Sequence, residues 1–291
     1  MLFSIITPTY NRADKIGVAI QSVLRQDYQN FELIIVDDGS TDNTKEVVQN
    51  FDDPRILYFK KKNEERNIAR NYGIAKANGQ YIGFLDSDDF LYNHHLQQAH
   101  NFILEKKYPE IIHLNFRITG LNTSSSFITQ NSIKNVNKEL INENFISCNS
   151  IFIRKEIFSQ FQFLNSKYAI LGEDYYLWLR LASRYKIHLS QEITSAVTEH
   201  PDRSLNKIDV DRLAIGISEI HETLKKDYKF THYYGWKSKK YFALNYIFIA
   251  LHLILQSRKK ESLQYLKRAL VQFPFSLFTR KFLTVLKKNI F

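Results

Sequence analysis

Two hydrophobic rhythms take turns along the first ninety residues. Short runs in which nearly every position is apolar read as strands buried on both faces: "FSIITPTY" from Phe3, "FELIIVDDGS" from Phe31, "RILYF" from Arg55 and "QYIGFLD" from Gln80. Between them the period lengthens. Asp14 to Arg25 sets Ile16, Ala19, Ile20, Val23 and Leu24 on one helical face. A second helix carries Val47 and Val48, with Thr41 or Asp42 able to cap it, and Asn67 to Ala77 reads as a third, closed by Asn78-Gly79. A β-α-β-α-β-α-β order with wholly apolar strands predicts a mostly parallel α/β sheet with helices on both faces. Such sheets bind ligands beyond the carboxyl ends of their strands. Three polar clusters, Pro8 to Arg12, Asp37 to Ser40 and Asp86 to Asp89, fall at those ends, so the pattern predicts one site along one sheet edge.

The pattern then changes. Leu121 to Asn144 is rich in Asn, Ser and Thr and reads as a loop or mobile excursion. "SIFIRKEIF" reads as a strand entering a helix, "GEDYYLWLRLASRY" from Gly172 as a helix, and "KIHLSQEITSAVTEHPDRS" as strand, turn, strand. The tail holds an apolar run from Tyr241 to Gln256, interrupted by Asn245 and His252, that falls short of the roughly 20 residues a membrane span needs.

Charge sharpens this division. The 291-residue chain carries a net +10, yet Trp236 to Phe291 holds 12 Lys/Arg against one acid, Glu261, while the remainder has 28 Lys/Arg and 29 Asp/Glu. The basicity is a property of the tail, which argues against a nucleic-acid binder. A single cysteine, Cys148, excludes a disulfide framework and a cysteine zinc site. The start, "MLFSIITPTYNR", lacks a basic stretch before its short apolar run and reads as a first strand, not a signal peptide. The expected divisions are residues 1–115, 116–215 and a basic helical extension, 216–291.

Each cluster has a plain and a chemical reading. In "DSDD", Asp86 and Asp88 can offer hard oxygens to Mg²⁺ or Mn²⁺ bound together with substrate phosphates; the plain reading is a solvated turn, or Asp88 and Asp89 capping a helix. Asp37 and Asp38 can accept from a base or ribose, or simply build a turn and cap. No G-x-G-x-x-G or P-loop fingerprint is present. Arg66 and Arg70, one helical turn apart, suit phosphate or ribose, or form a solvated face. Glu173 and Asp174 open a helix, where its dipole favours them, and one of them can serve as a general base. His200, Arg203 and Ser204 share a loop, and His200 can ligate a metal or touch a diphosphate, or lie exposed.

"SIITPTYNRADKIGVAIQSVLRQDYQNFELIIVDDGSTDNT", "ARNYGIAKANGQYIGFLDSDD" and "GEDYYLWLRL", in this order and spacing, resemble the family-2 inverting nucleotide-sugar glycosyltransferases of GT-A fold that build bacterial surface polysaccharides. The resemblance spans about Phe3 to Ser204. It implies that Pro8, Tyr10 and Arg12 line the base pocket and that Asp38, or Asp37, reads the base. It implies that Arg70 and Arg66 approach the donor beside Ser87. Asp86 and Asp88 match the family's D-x-D metal motif, with Asp89 alongside and His200 a looser match, for Mn²⁺ or Mg²⁺. Asp174 matches the catalytic base, supported by Glu173. The Q-x-x-R-W motif of processive synthases is absent, so addition of one sugar at a time is expected.

The expected activity is transfer from a nucleotide-sugar, UDP-linked by preference, to a glycan or lipid-linked hydroxyl, in the cytoplasm at the inner membrane face. Two alternatives are a catalytically inactive sugar-nucleotide-binding scaffold and a nucleotidyltransferase. The intact acids argue against the first, and the lack of a Gly-rich, cation-bearing first loop against the second. The tail reads as a helical hairpin packed on its own domain, as a basic anchor at a membrane surface, or as a nucleic-acid patch, the last without any accompanying recognition motif.

Overall fold

The structure is a computed structural model, and it describes residues 1–120, 126–127, 135–200 and 208–290. Four parallel strands form its first half: β1 (Phe3–Thr9), β2 (Phe31–Asp37), β3 (Ile56–Lys60) and β4 (Tyr81–Phe84). The helices between them are α1 (Ile16–Leu24), α2 (Thr44–Gln49) and α3 (Arg66–Lys76). Alternate residues of each strand serve opposite faces. Phe3, Ile5, Leu33 and Ile35 pack with Ile16, Ile20 and Val23 of α1, whereas Ile6, Ile34, Val36, Ile82 and Phe84 pack with Ala69 and Ile74 of α3. Helices on both faces are therefore what the strands' wholly apolar character requires. Gly73 lets α3 sit close to β1: a Cβ there would lie 2.5 Å from the Ile6 side chain.

After β4 come β5 (Phe90–Leu91), α4 (His95–Glu105), β6 (Ile111–Gly120), β7 (Ser126–Phe127), α5 (Val136–Glu139), β8 (Ile151–Arg154), α6 (Glu173–Ala182) and β9 (Ile187–Glu199). The sheet order is β3-β2-β1-β4-β8-β6-β9-β5, with β7 paired to β6. β8 runs antiparallel to β4 and to β6, so the sheet is mixed beyond β4. The chain goes outward from β1 through β2 to β3 and returns to β1's other side as β4. That reversal opens a crevice at the carboxyl ends of β1 and β4.

Four expectations need revision. The strand-turn-strand reading of residues 186–204 gives way to one 13-residue strand, β9, paired parallel to β6. Its polar run Ser190-Gln191-Glu192 is a bulge, because Leu189 pairs with His113 and Ile193 with Asn115. Residues 155–159 form a 3₁₀ turn and not an α-helix. The expected loop ends earlier than Asn144: α5 is helical, and Leu140 and Ile141 are buried in the main core. Residues 121–125 and 128–134 of that segment lie outside the described residues. The divisions expected after residues 115 and 215 both fall inside continuous elements, β6 and the helix that follows β9.

That helix is α7 (Val210–Lys226), followed by α8 (Tyr228–Tyr234), α9 (Trp236–Leu255), α10 (Lys259–Gln272) and α11 (Arg280–Ile290). α9 is apolar nearly all round because it is buried on several sides. Tyr241 and Phe242 join the main core, Ile249 and Leu253 meet α7, and Ala243, Ile247 and Ala250 meet α10 and α11. No helix among the described residues is long and apolar enough to cross a membrane.

Candidate active site

The loop after β1 is pinned to the loop after β2 by the polar residues of "YNRA" and "GSTDNT". Ser40 Oγ accepts from Asn11 N at 2.9 Å, Asn11 Oδ1 from Thr41 N at 2.8 Å, and Asp42 Oδ2 from Ala13 N at 3.1 Å. Asp42 also accepts from Thr44 N at 3.1 Å, but the residue before α2 is Asn43, so neither expected residue, Thr41 or Asp42, is the helix cap. These bonds hold open a cavity of about 400 Å³ lined by Pro8, Tyr10, Arg12, Asp38, Arg66, Asp86, Ser87 and Asp88. Every one of these was expected there from the sequence. Asn63, Glu65 and Arg212 line it too. They belong to no recognisable pattern, and Arg212 arrives from α7, far along the chain.

Asp37 does not reach this cavity. It is fully buried: Oδ1 accepts from Ser40 N at 2.7 Å and Oδ2 from the Tyr58 hydroxyl at 2.5 Å, so it builds the turn instead of reading a ligand. Asp38 lines the cavity, but its oxygens already accept from Lys61 Nζ at 2.7 Å and Glu65 N at 2.8 Å. It shapes the 61–65 loop as well as facing any ligand.

A second cavity, of about 450 Å³, adjoins the first and shares Arg66, Asp86 and Asp88 with it. Its far side is lined by Glu173 and Asp174 and by Phe116, Ile118 and Val197 of β6 and β9. Gly172 adopts φ +77° as the residue before α6, a left-handed turn that glycine takes without strain and that aims the first turn of α6 at the cavity. Asp174 Oδ1 accepts from Tyr175 N at 2.6 Å. Burial, and then the neighbouring Glu173 carboxylate, push the Asp174 pKa up to about 6.

Arg70 joins the two acid clusters from beneath. It is almost wholly buried, donating to Asp86 Oδ1 at 2.7 Å and Glu173 Oε1 at 3.1 Å, with its guanidinium over the Phe163 ring. It lines the second cavity, not the first, so it acts as a brace and not as the donor contact expected of it. The nearby acids hold its pKa well above the ordinary value despite burial. Arg66 is the half-exposed partner, lining both cavities with Nε 3.8 Å from Glu173 Oε1.

The expected metal ligands separate into two groups. Asp89 is buried, Oδ2 accepting from Asn149 Nδ2 at 2.6 Å and Oδ1 from Thr198 N at 2.7 Å, and burial with the charges of Asp86 and Asp88 raises its pKa. It ties the "DSDD" loop to β9, while Asp86 is held by Arg70. Asp89 thus spends both oxygens on the protein, whereas Asp86 gives Oδ1 to Arg70 and still lines both cavities. Asp88 and His200 do come together, with 2.9 Å between His200 Nε2 and Asp88 Oδ2 and Arg12 3.7 Å from the same oxygen. Two atoms so placed share either a proton or a cation. One hard oxygen and one imidazole fit Mn²⁺ or Mg²⁺, which keep positions for water and phosphate oxygens. Among the described residues, no three His, Cys, Asp or Glu side chains are grouped to hold a metal by themselves. Arg203 and Ser204 lie outside the described residues. Asn149, which also accepts from Asp86 N at 2.9 Å, organises the acid loop from within "SCNS", a stretch with no motif to betray it.

The fold that holds these two adjoining cavities is of GT-A type. The family model "Glycosyl transferase family 2" matches residues 4–161, and the chain belongs to that family. Its Escherichia coli relative "UDP-Glc:alpha-D-GlcNAc-diphosphoundecaprenol beta-1,3-glucosyltransferase WfgD" is 34% identical over 182 residues, 62% of this chain and 69% of the relative. The crystal structure of S. aureus TarS 1-349 with UDP-GlcNAc superposes with a TM-score of 0.71 at 18% identity, covering 100% of this chain and 88% of that one. A mannosyltransferase from Pyrobaculum calidifontis, in complex with GDP-Man and Mn²⁺, does so with a TM-score of 0.59 at 15% identity, covering 99% and 87%.

Proposed function

We propose that this glycosyltransferase moves one sugar, with inversion, from a UDP-sugar to a hydroxyl of a glycan or lipid-linked acceptor in surface polysaccharide synthesis. The observation that carries the reading is the shared wall of the two cavities. Asp86 and Asp88 border both, while Asp174, a partly buried carboxylate with its pKa raised toward neutrality, borders only the second. A donor diphosphate against Asp88 in the first cavity leaves its sugar facing the second, with the base across from the leaving group.

Ionised Asp174 accepts the proton of the acceptor hydroxyl as that oxygen attacks the anomeric carbon. The carbon–oxygen bond to the diphosphate breaks, its electron pair leaves with UDP, and attack opposite the leaving group inverts the centre. Arg70 keeps Glu173 and Asp86 in register across the gap, and Arg12 and Arg66 offer charge to the diphosphate. A divalent cation held by Asp88 and His200 would supply Lewis-acid stabilisation of the leaving diphosphate. The name of the E. coli relative supports a UDP-linked donor and a diphosphoundecaprenol-linked acceptor, hence work at the inner face of the cytoplasmic membrane.

Nucleoside diphosphate release from a panel of UDP-, GDP- and dTDP-sugars, with Mn²⁺ or Mg²⁺ and a lipid-linked acceptor, tests this. Release from one donor, lost with EDTA and in Asp88→Ala and Asp174→Ala, is expected. Nucleotide binding without release from any donor would favour the binding-protein alternative.

A further inference from the structure

The turn between α10 and α11 reverses ordinary patterning. Val271, Phe275 and Phe278 are 79%, 68% and 78% exposed, and Trp236, at the start of α9, is 59% exposed. They belong together: Trp236 stacks on Phe273 at 6.0 Å between ring centroids, and Phe273 meets Phe275 at 5.7 Å. Beneath them the three helices are tightly packed, with Phe282, Val285, Leu266 and Ala269 buried. The apolar tip is thus a rigid projection and not a loose end.

Cations flank it along the chain. Lys239 and Lys240 follow Trp236, Lys267 and Arg268 precede the turn, and Arg280 and Lys281 follow it, while Lys237 pairs with Glu139 of α5 at 3.8 Å. A protein partner would have to match aromatic residues and bring acids, and a nucleic acid would leave the aliphatic and aromatic tip with little to bury. An anionic bilayer surface satisfies both features at once: phosphates meet the flanking Lys/Arg and the interface takes up Trp, Phe and Val.

We propose that this tip, Trp236, Val271, Phe275 and Phe278 with their flanking Lys/Arg, is a docking surface for an anionic lipid bilayer. It rests on the reading of a lipid-linked acceptor only for its purpose, since the surface is argued from exposure and charge alone.

The chain supplies its own probe. It has two tryptophans, and Trp178 is fully buried, so a change in emission on docking reports Trp236. With the full chain, vesicles of phosphatidylcholine with one-third phosphatidylglycerol should blue-shift the emission and shield it from an aqueous quencher, whereas pure phosphatidylcholine should not. Phe275→Ser and Phe278→Ser should each weaken partitioning on the order of tenfold. Arg280→Gln and Lys281→Gln should each weaken it about fivefold, and high salt should act in the same direction. UDP binding and thermal midpoint should stay unchanged in all four, which separates lost docking from lost folding and from failure of the catalytic reading. Equal partitioning of wild type and Phe275→Ser/Phe278→Ser would overturn the proposal. So would a concentration-dependent dimer that the same double substitution abolishes, or single-stranded nucleic acid competing with vesicles at matched salt.

Discussion

The cleft and the C-terminal tip break the same rule in opposite directions. In the cleft, charge is buried: Arg70, Glu173 and Asp89 sit inside the fold, with Asp174 partly buried beside them. At the tip, apolar surface is exposed: two phenylalanines, a valine and a tryptophan face outward. Both arrangements cost stability, and most of the molecule between them is patterned ordinarily, with apolar residues in and polar residues out. The lesson is that departures from patterning concentrate where a ligand is to be met. A charged ligand calls for buried, held charge, and an apolar one for exposed carbon.

Substitutions can test that symmetry. The largest effect should come from Asp174→Asn, which removes the proton acceptor and should lower transfer about 10²- to 10⁴-fold with donor binding retained. Arg70→Met comes next. It leaves Asp86 and Glu173 without their shared cation and should destabilise the fold by about 3–5 kcal/mol in chemical denaturation. Asp174→Asn should move stability the other way. The folded pKa is raised to about 6, so wild type loses stability as pH rises from the ordinary carboxylate range to about 6 and levels off above it. Variant and wild type should match near pH 4, and the variant should be ahead by up to about 3 kcal/mol above pH 7. For the same reason wild-type turnover should fall about tenfold per pH unit below about 6, where the base is protonated. The smallest effect belongs to the tip: Phe275→Ser should change stability by less than about 0.5 kcal/mol, because the ring is not part of the core. A large loss there would mean that the tip is structural and the comparison false.

The sequence reported the cleft better than the tip, for physical reasons. Strands buried on both faces leave a strong signal, and the acids that end them fall at one sheet edge whatever the details. The first cavity's lining from Pro8 to Asp88 was legible for that reason. Direction of side chains was not. Asp37 and Asp38 are adjacent, yet one turns inward to Ser40 and Tyr58 and the other lines the cavity. Asp89 is sequestered by Asn149 and Thr198, residues 60 and 109 positions away. Arg70 and Arg66 share a helix face, but only tertiary packing decides that Arg70 is sealed under Phe163. The polar run in β9 imitated a turn because a bulge and a turn use the same residues. In the tail, hydrophobic counting alone could not separate Phe282, buried, from Phe278, exposed, since which face meets α9 is fixed only when the helices assemble.

The central claim, a single displacement with the base across the cleft from the diphosphate, is tested most directly by the anomeric configuration of the product. Transfer from a UDP-α-sugar, followed by NMR of the new linkage before any equilibration, should give a β-linked product. An α-linked product would contradict the account, because one attack from the Asp174 side cannot retain configuration.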